Sequence, residues 1–131
     1  MKLLLDTHIW LWALVEPERL TPDVRAALGS PDNELWLSPI SVWEAYLLAE
    51  RGRVSVSGRV GDWIGDMVSA MPRREAPLTH EVANLSRELP LPHQDPADRF
   101  LAATACVFDL TLVSADERLL GLPGLSTLAN R

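Results

Sequence analysis

Apolar residues come in short bursts along the chain, and turn-forming residues separate them. Lys2 to Leu5 is a brief apolar run ending at Asp6, which reads as a buried strand. From His8 to Val15 the chain is apolar on every side until Glu16-Pro17 stops it, the pattern of a buried helix. Thr21-Pro22 predicts a helix start, with Thr as N-cap and Pro at the first helical position, and Gly29 closes that helix. Leu35 to Leu37 is a second short strand. Ser38-Pro39 repeats the cap-then-proline signal and opens a helix from Pro39 to Arg51, ending near Gly52. Arg53 to Gly61 reads as a loop, and Asp62 to Met71 as a helix. Ala76 to Leu78 is a candidate third strand, and Thr79 caps a helix to Leu89. Leu89-Pro90-Leu91-Pro92 is a stiff connector. A long helix over Pro96–Phe108, a strand over Thr111–Ser114, a short helix over Asp116–Leu120 and a last strand over Leu125–Leu128 complete the pattern. Short apolar strands alternating with helices predict an α/β fold, with a parallel sheet covered on both faces.

A length of 131 residues fits a single domain spanning 1–131. With 47% hydrophobic and 23% charged residues the composition is that of a globular chain rather than a disordered one. No apolar run approaches the roughly 18–20 residues that cross a bilayer. Asp6 and His8 interrupt the first apolar stretch, so it does not read as a signal peptide. The lone cysteine, Cys106, excludes an internal disulfide and fits a reducing cytosol; its apolar helical context predicts a buried structural thiol.

Charge changes the picture more. The net charge of −6 counts against unassisted binding to nucleic acid, but suits an enzyme whose acids surround a cation. Six of the twelve basic residues, Arg51, Arg53, Arg59, Arg73, Arg74 and Arg87, fall in one stretch. That stretch reads either as a local basic surface or as scattered solvated side chains.

Ligands of open parallel α/β sheets bind beyond the carboxyl ends of the strands. Asp6 ends the first strand, Glu44 lies within two turns of the helix after the second, and Asp116 follows the strand Thr111–Ser114 by two residues. Asp98 stands in the first turn of the helix preceding that strand, and is expected at the same edge. Acids gathered there repel one another, and a divalent cation removes the repulsion. Oxygen donors without a cysteine or a spaced histidine pair select Mg²⁺ or Mn²⁺ over Zn²⁺. Such a site suits phosphodiester hydrolysis, with a metal-activated water and an offset phosphorane charge. Each acid also has a purely structural reading. Asp6 could cap the next helix with its carboxylate near Ile9, Glu44 could pair with a solvent cation, and Asp116 could cap the last short helix. The neighbours Val42, Trp43, Ala45, Leu47 and Leu48 place Glu44 on a mostly buried helix.

Asp95-Pro96-Ala97-Asp98 separates into two roles. Asp95 holds the N-cap position and Asp98 position N3, a variant of the capping box. Asp95 also precedes Arg99 by four residues, a favourable ion-pair spacing. Asp95 thus has structural work, and Asp98 is the preferred ligand.

These residues resemble the PIN-domain ribonucleases, specifically the VapC-type toxins of bacterial toxin–antitoxin pairs. Leu3-Leu4-Leu5-Asp6-Thr7-His8 is similar to the first acidic motif, and Ser38-Pro39-Ile40-Ser41-Val42-Trp43-Glu44 to the second. His93 to Ala103, with its Asp-Pro-Ala-Asp-Arg core, resembles the third, and Leu112-Val113-Ser114-Ala115-Asp116 the fourth. Four motifs in order cover essentially the whole chain. The resemblance implies a three-layer α/β/α fold with a central parallel sheet and an Mg²⁺- or Mn²⁺-dependent ribonuclease. It carries over Asp6, Glu44, Asp98 and Asp116 as catalytic and metal-binding acids, with Asp6 and Asp98 as the foremost ligands. Glu44 would bind metal or orient water, Asp116 would complete a second cation site or act through water, and Thr7 would support Asp6 through its hydroxyl. It also implies an RNA substrate, a homodimer, and a cognate antitoxin whose tail covers the acidic pocket. Ala97 departs from the bulky aromatic frequent in this subgroup, which bears on packing rather than chemistry.

Trp10, Trp12, Trp36, Trp43 and Trp63 read first as core or interface residues rather than base-stacking platforms. His8 and His93 flank acidic motifs, but neither has a ligand partner at metal spacing. The apolar helix from His8 to Val15 fits either the interior or a dimer face. Two other functions remain open. An aspartyl-nucleophile phosphatase would use Asp6, but His8 stands where its second Asp belongs. A non-catalytic PIN-like interaction module is disfavoured by the presence of all four acids. Divalent cation binding discriminates the nuclease from the module.

Overall fold

The computed structural model of the chain describes residues 1–92 and 94–131; the expectation for His93 lies outside them. In strand β1 (Lys2–Leu5), Leu3, Leu4 and Leu5 are completely buried although successive side chains face opposite ways. A strand buried on both faces belongs in the middle of a covered sheet. β1 lies there, in a five-stranded sheet ordered β3-β2-β1-β4-β5, with β2 at Glu34–Leu37, β3 at Arg74–Glu75, β4 at Thr111–Ser114 and β5 at Thr127–Ala129. Every pairing is parallel, with Leu4 opposite Trp36 on one side and Leu112 on the other.

Among the described residues, seven helices cover the two faces: α1 (Thr7–Val15), α2 (Pro22–Gly29), α3 (Pro39–Glu50), α4 (Val60–Ser69), α5 (His80–Glu88), α6 (Pro96–Phe108) and α7 (Glu117–Leu120). Leu3, Leu5 and Val113 pack with Ile9 and Trp10 of α1, Val24 of α2, Ala45 and Leu48 of α3, and Ile64 and Met67 of α4. Leu4 and Leu112 pack on the opposite side with Leu101, Ala102 and Ala105 of α6 and Leu119 of α7. The result is the three-layer α/β/α arrangement with a central parallel sheet. The apolar helix α1 buries Ile9, Trp10 and Leu11, and the indole N–H of Trp10 donates to the Met67 carbonyl at 3.3 Å. Thr21, Ser38 and Thr79 cap their helices through their hydroxyls, as their sequence positions predict.

The differences from expectation have local causes. β3 lies at Arg74–Glu75 rather than Ala76–Leu78: its two charged, exposed residues pair by backbone with Trp36 and Leu37 and carry no apolar signal. β5 starts at Thr127, because Leu122 and Leu125 pack against the core ahead of it without pairing. α4 starts at Val60, two residues early, and a 3-10 turn at Pro17–Arg19 follows α1. Cys106 is exposed, not buried: α6 buries Leu101 through Ala105 and turns residue 106 outward. Partial burial pushes its thiol pKa up, which disfavours the reactive thiolate at neutral pH.

Arg99 corrects a second expectation. It is buried, and its guanidinium donates to the carbonyls of Ser86 (2.7 Å), Leu89 (2.9 Å), Arg87 (3.3 Å) and Leu91 (3.4 Å). The anticipated Asp95–Arg99 ion pair is absent among the described residues, because the fork is spent on the α5 terminus and the connector after it. A cation there also complements the helix dipole. Arg99→Met is therefore expected to cost roughly 3–4 kcal/mol in urea unfolding, since it removes charged hydrogen bonds and strands buried carbonyls. A loss below about 1 kcal/mol would show that the clasp contributes little.

Candidate active site

The strand order reverses between β1 and β4: the chain runs outward through β2 and β3, then crosses to β4 and β5. A crevice forms at the carboxyl ends of two such neighbours. Asp6 stands at that point. Its backbone N–H donates to the Val113 carbonyl at 3.0 Å, extending the β1–β4 ladder by one residue. The next peptide turns into α1, so Asp6 is both strand end and N-cap. Its Oδ1 accepts the Thr7 backbone N–H at 2.8 Å, nearer than the expected Ile9, and its Oδ2 accepts the Ser114 hydroxyl at 2.7 Å.

Ser114 Oγ in turn accepts the Asp116 N–H at 3.0 Å. Asp116 caps α7, its Oδ1 accepting the Arg118 N–H at 2.9 Å. The capping expectation thus holds for both Asp6 and Asp116, and a cap alone does not use every lone pair of a carboxylate. Glu44 is half-buried on α3, as its neighbours predict, although Trp43 beside it is 45% exposed. Asp98 is only 7% exposed in the first turn of α6, where its N–H donates to Asp95 Oδ1 at 3.3 Å. Asp6, Glu44, Asp98 and Asp116 line one open cleft of about 330 Å³, together with His8, Trp12, Asp95, Ala115 and Arg118.

The electrostatics follow from that convergence. Burial pushes the Asp6 carboxyl above its ordinary pKa, and Asp116 adds to the rise, against lowering by Ser114, His8 and the Thr7 N–H. Glu44 is likewise raised, first by burial and then by Asp6 and Asp95, while Thr7 and His8 oppose the shift. Thr7 does not support Asp6 through its hydroxyl. That group is shared between Ser41 Oγ, at 3.0 Å, and the Glu44 carboxylate, and Ser114 supplies the hydroxyl to Asp6.

Five of the nine residues lining the cleft carry carboxylates, so the donor chemistry fits a hard divalent cation. Among the described residues, no group of three or more His, Cys, Asp or Glu side chains is placed so as to hold a metal ion as it stands. One reason is visible. The Arg118 guanidinium lies between Asp116 and Asp98, 2.9 Å and 3.6 Å from their carboxylates, as a cation already standing there.

A family model described as "PIN domain" matches residues 3–125. The chain belongs to the PIN-domain family. It is 35% identical over 117 residues to Ribonuclease VapC22 of Mycobacterium tuberculosis, an alignment covering 88% of either protein. Among solved structures it is similar to VapBC2 from Rickettsia felis bound to a DNA fragment from their promoter, with a TM-score of 0.72, 17% identity, and 98% of each chain covered. It is also similar to DNA-bound VapBC from Salmonella typhimurium, with a TM-score of 0.71, 16% identity, and 100% and 99% of the two chains covered. Identities this low show the PIN fold alone.

Within this PIN domain, the sequence reading missed Ser114, Ser41, Arg118 and the place of Asp95 on the cleft wall. Ser114 carried one signal, its position two residues before Asp116. Trp12 proves to be a cleft residue, with the Arg19 guanidinium 4.9 Å over its ring, whereas Trp10 is core. The six clustered arginines are all exposed, but Arg53 lines a groove beside α1 while Arg73 and Arg74 line a separate pocket with Gly29 and Glu34.

Proposed function

We propose that residues 1–131 form one nuclease domain, a ribonuclease that hydrolyses RNA phosphodiesters with Mg²⁺ or Mn²⁺ as the toxin of a toxin–antitoxin pair. The observation that carries this reading is the gathering of Asp6, Glu44, Asp98 and Asp116 in one cleft at the sheet's switch point. Asp6 and Asp98, both nearly buried, would hold the cation, with Glu44 and Asp116 completing the site. When bound, such a cation lowers the pKa of a water and offsets charge on the transferring phosphorus. The residues themselves set the rest. Ser114 fixes Asp6 and Asp116 relative to each other, and Thr7 holds Glu44, which lines the cleft and would orient a water there. Five acids on one wall repel a polyanion, so RNA approaches only after cation has neutralised them. The relative named Ribonuclease VapC22 supports the RNA substrate.

A cognate antitoxin is the proposed partner, supported by solved VapBC structures and by an apolar groove of about 490 Å³ beside the cleft. His8 and Trp12 line both, so one tail could run from groove to acids. Exposed Trp43 and Tyr46 on α3 support a homodimer face. Among the described residues no helix is long and apolar enough to cross a membrane, and we place the activity in the cytoplasm. The purified protein is expected to cut RNA with Mg²⁺ or Mn²⁺ and to stop in EDTA. Full cleavage in chelator would sink the cation-dependent mechanism.

A further inference from the structure

Among the described residues lining the acidic cleft, Arg118 is the single Arg or Lys. Its Nε and Nη2 donate to Asp116 Oδ1 and Oδ2 at 3.2 and 2.9 Å, and Nη2 lies 3.6 Å from Asp98 Oδ2. The guanidinium therefore spans two acids brought together from α6 and from the cap of α7. Its side chain is 53% exposed, whereas those of Asp98 and Asp116 are 10% and 24% exposed. The fork thus meets the two carboxylates on one side, and about half of the arginine side chain faces solvent. The planar guanidinium matches both oxygens of a carboxylate. A hard divalent cation uses those same oxygens, and one carboxylate face cannot serve both. The arginine side chain is half open to solvent, so water can take over its hydrogen bonds when the fork gives way.

We propose that Arg118 is a positioning residue that occupies the Asp98–Asp116 end of the cleft as an internal cation and must release those oxygens before a divalent ion can use them. The proposal rests on the cation-dependent reading of the cleft. In the metal-free protein Arg118 offsets the repulsion between the two acids and holds them at one place. On loading it competes with the incoming ion for Asp116, so the apparent affinity for metal is lowered.

The test is calorimetric titration of MnCl₂ into the metal-free, full-length protein without RNA, comparing wild type with Arg118→Gln and Arg118→Lys. The Asp116 cap uses the backbone N–H of residue 118, so both variants keep it. Arg118→Gln is expected to bind Mn²⁺ roughly 5- to 10-fold more tightly, within the usual range of coupling between competing ligands. Arg118→Lys should fall between, because an ammonium keeps the charge but not the two-oxygen grip. Wild type and Arg118→Gln agreeing within about twofold, or the variant binding more weakly, overturns the competition while leaving the cation site standing. A folded wild type that takes up no Mn²⁺ overturns both. If Arg118→Gln fails to fold, the Lys variant decides: unchanged affinity rejects the proposal, and tighter binding supports it.

Discussion

Asp98→Asn is expected to lower RNA cleavage by more than about 100-fold, since losing a partner one shell beyond a metal already costs 10–100-fold. The fold should survive, because the substitution removes charge and almost no volume, and the cap in this segment uses the Asp98 backbone N–H rather than its carboxylate. Asp95→Ala should do the reverse. It deletes the oxygen that receives that N–H, costs about 0.5–2 kcal/mol of stability, and leaves measurable cleavage. Asp95 does line the cleft and adds to the field that raises Glu44, so its loss touches the site without removing a preferred ligand. Cleavage rates and urea midpoints of both variants check the assignment. Inactive Asp95→Ala beside active Asp98→Asn would show that the ligand and the cap were assigned the wrong way round.

The parts of the fold legible in the sequence are those where a local signal coincides with the tertiary result. Pro22, Pro39 and Pro96 stand at first helical positions behind Thr21, Ser38 and Asp95, and helices begin at all three. Thr111–Ser114 is a run of β-branched and apolar residues between turn signals and forms β4 with those bounds. β3 was illegible because two exposed charged residues pair only through their backbone with β2, and no side-chain pattern records that. Cys106 misled for a related reason. In an alanine-rich helix small apolar residues line every side, so the sequence does not mark the outward face. Asp6 and Asp116 were legible as cleft residues because a strand end followed by a carboxylate is a local pattern, whereas Glu44 and Asp98 reach the same cleft from helices. Their supports were not, since Ser114 meets Asp6 across 108 residues and Thr7 meets Ser41 across 34. Arg118 carries no local signal, since only the tertiary fold brings Asp98 of α6 beside it.

Asp6→Asn is expected to abolish cleavage and yet leave the metal-free protein as stable as the wild type or more so. Burial raises the pKa values of Asp6 and Glu44 above those of ordinary carboxylates. The folded state therefore holds these protons more tightly than the unfolded chain does. Stability falls as pH climbs from the unfolded pKa through the folded one, and above the folded pKa the loss is complete. At neutral pH the ionised Asp6 thus subtracts from stability, despite the hydrogen bonds it accepts from Thr7 and Ser114. Asparagine removes the charge and keeps an acceptor for the Thr7 N–H, and its amide can face Ser114 Oγ. In EDTA the wild-type melting temperature should rise as pH is lowered from neutral toward the carboxylate range, and the rise should be smaller in Asp6→Asn. Adding Mg²⁺ at about 100 times its dissociation constant should stabilise the wild type by about 2.7 kcal/mol. For a chain of this size that is on the order of 10 °C. The variant, lacking a ligand, should shift far less. If Asp6 served only as the cap of α1, Asn would replace it almost without cost, and Mg²⁺ would treat the two proteins alike. Equal Mg²⁺-dependent shifts in the two melting curves would therefore remove Asp6 from the cation site and end the mechanism built on it.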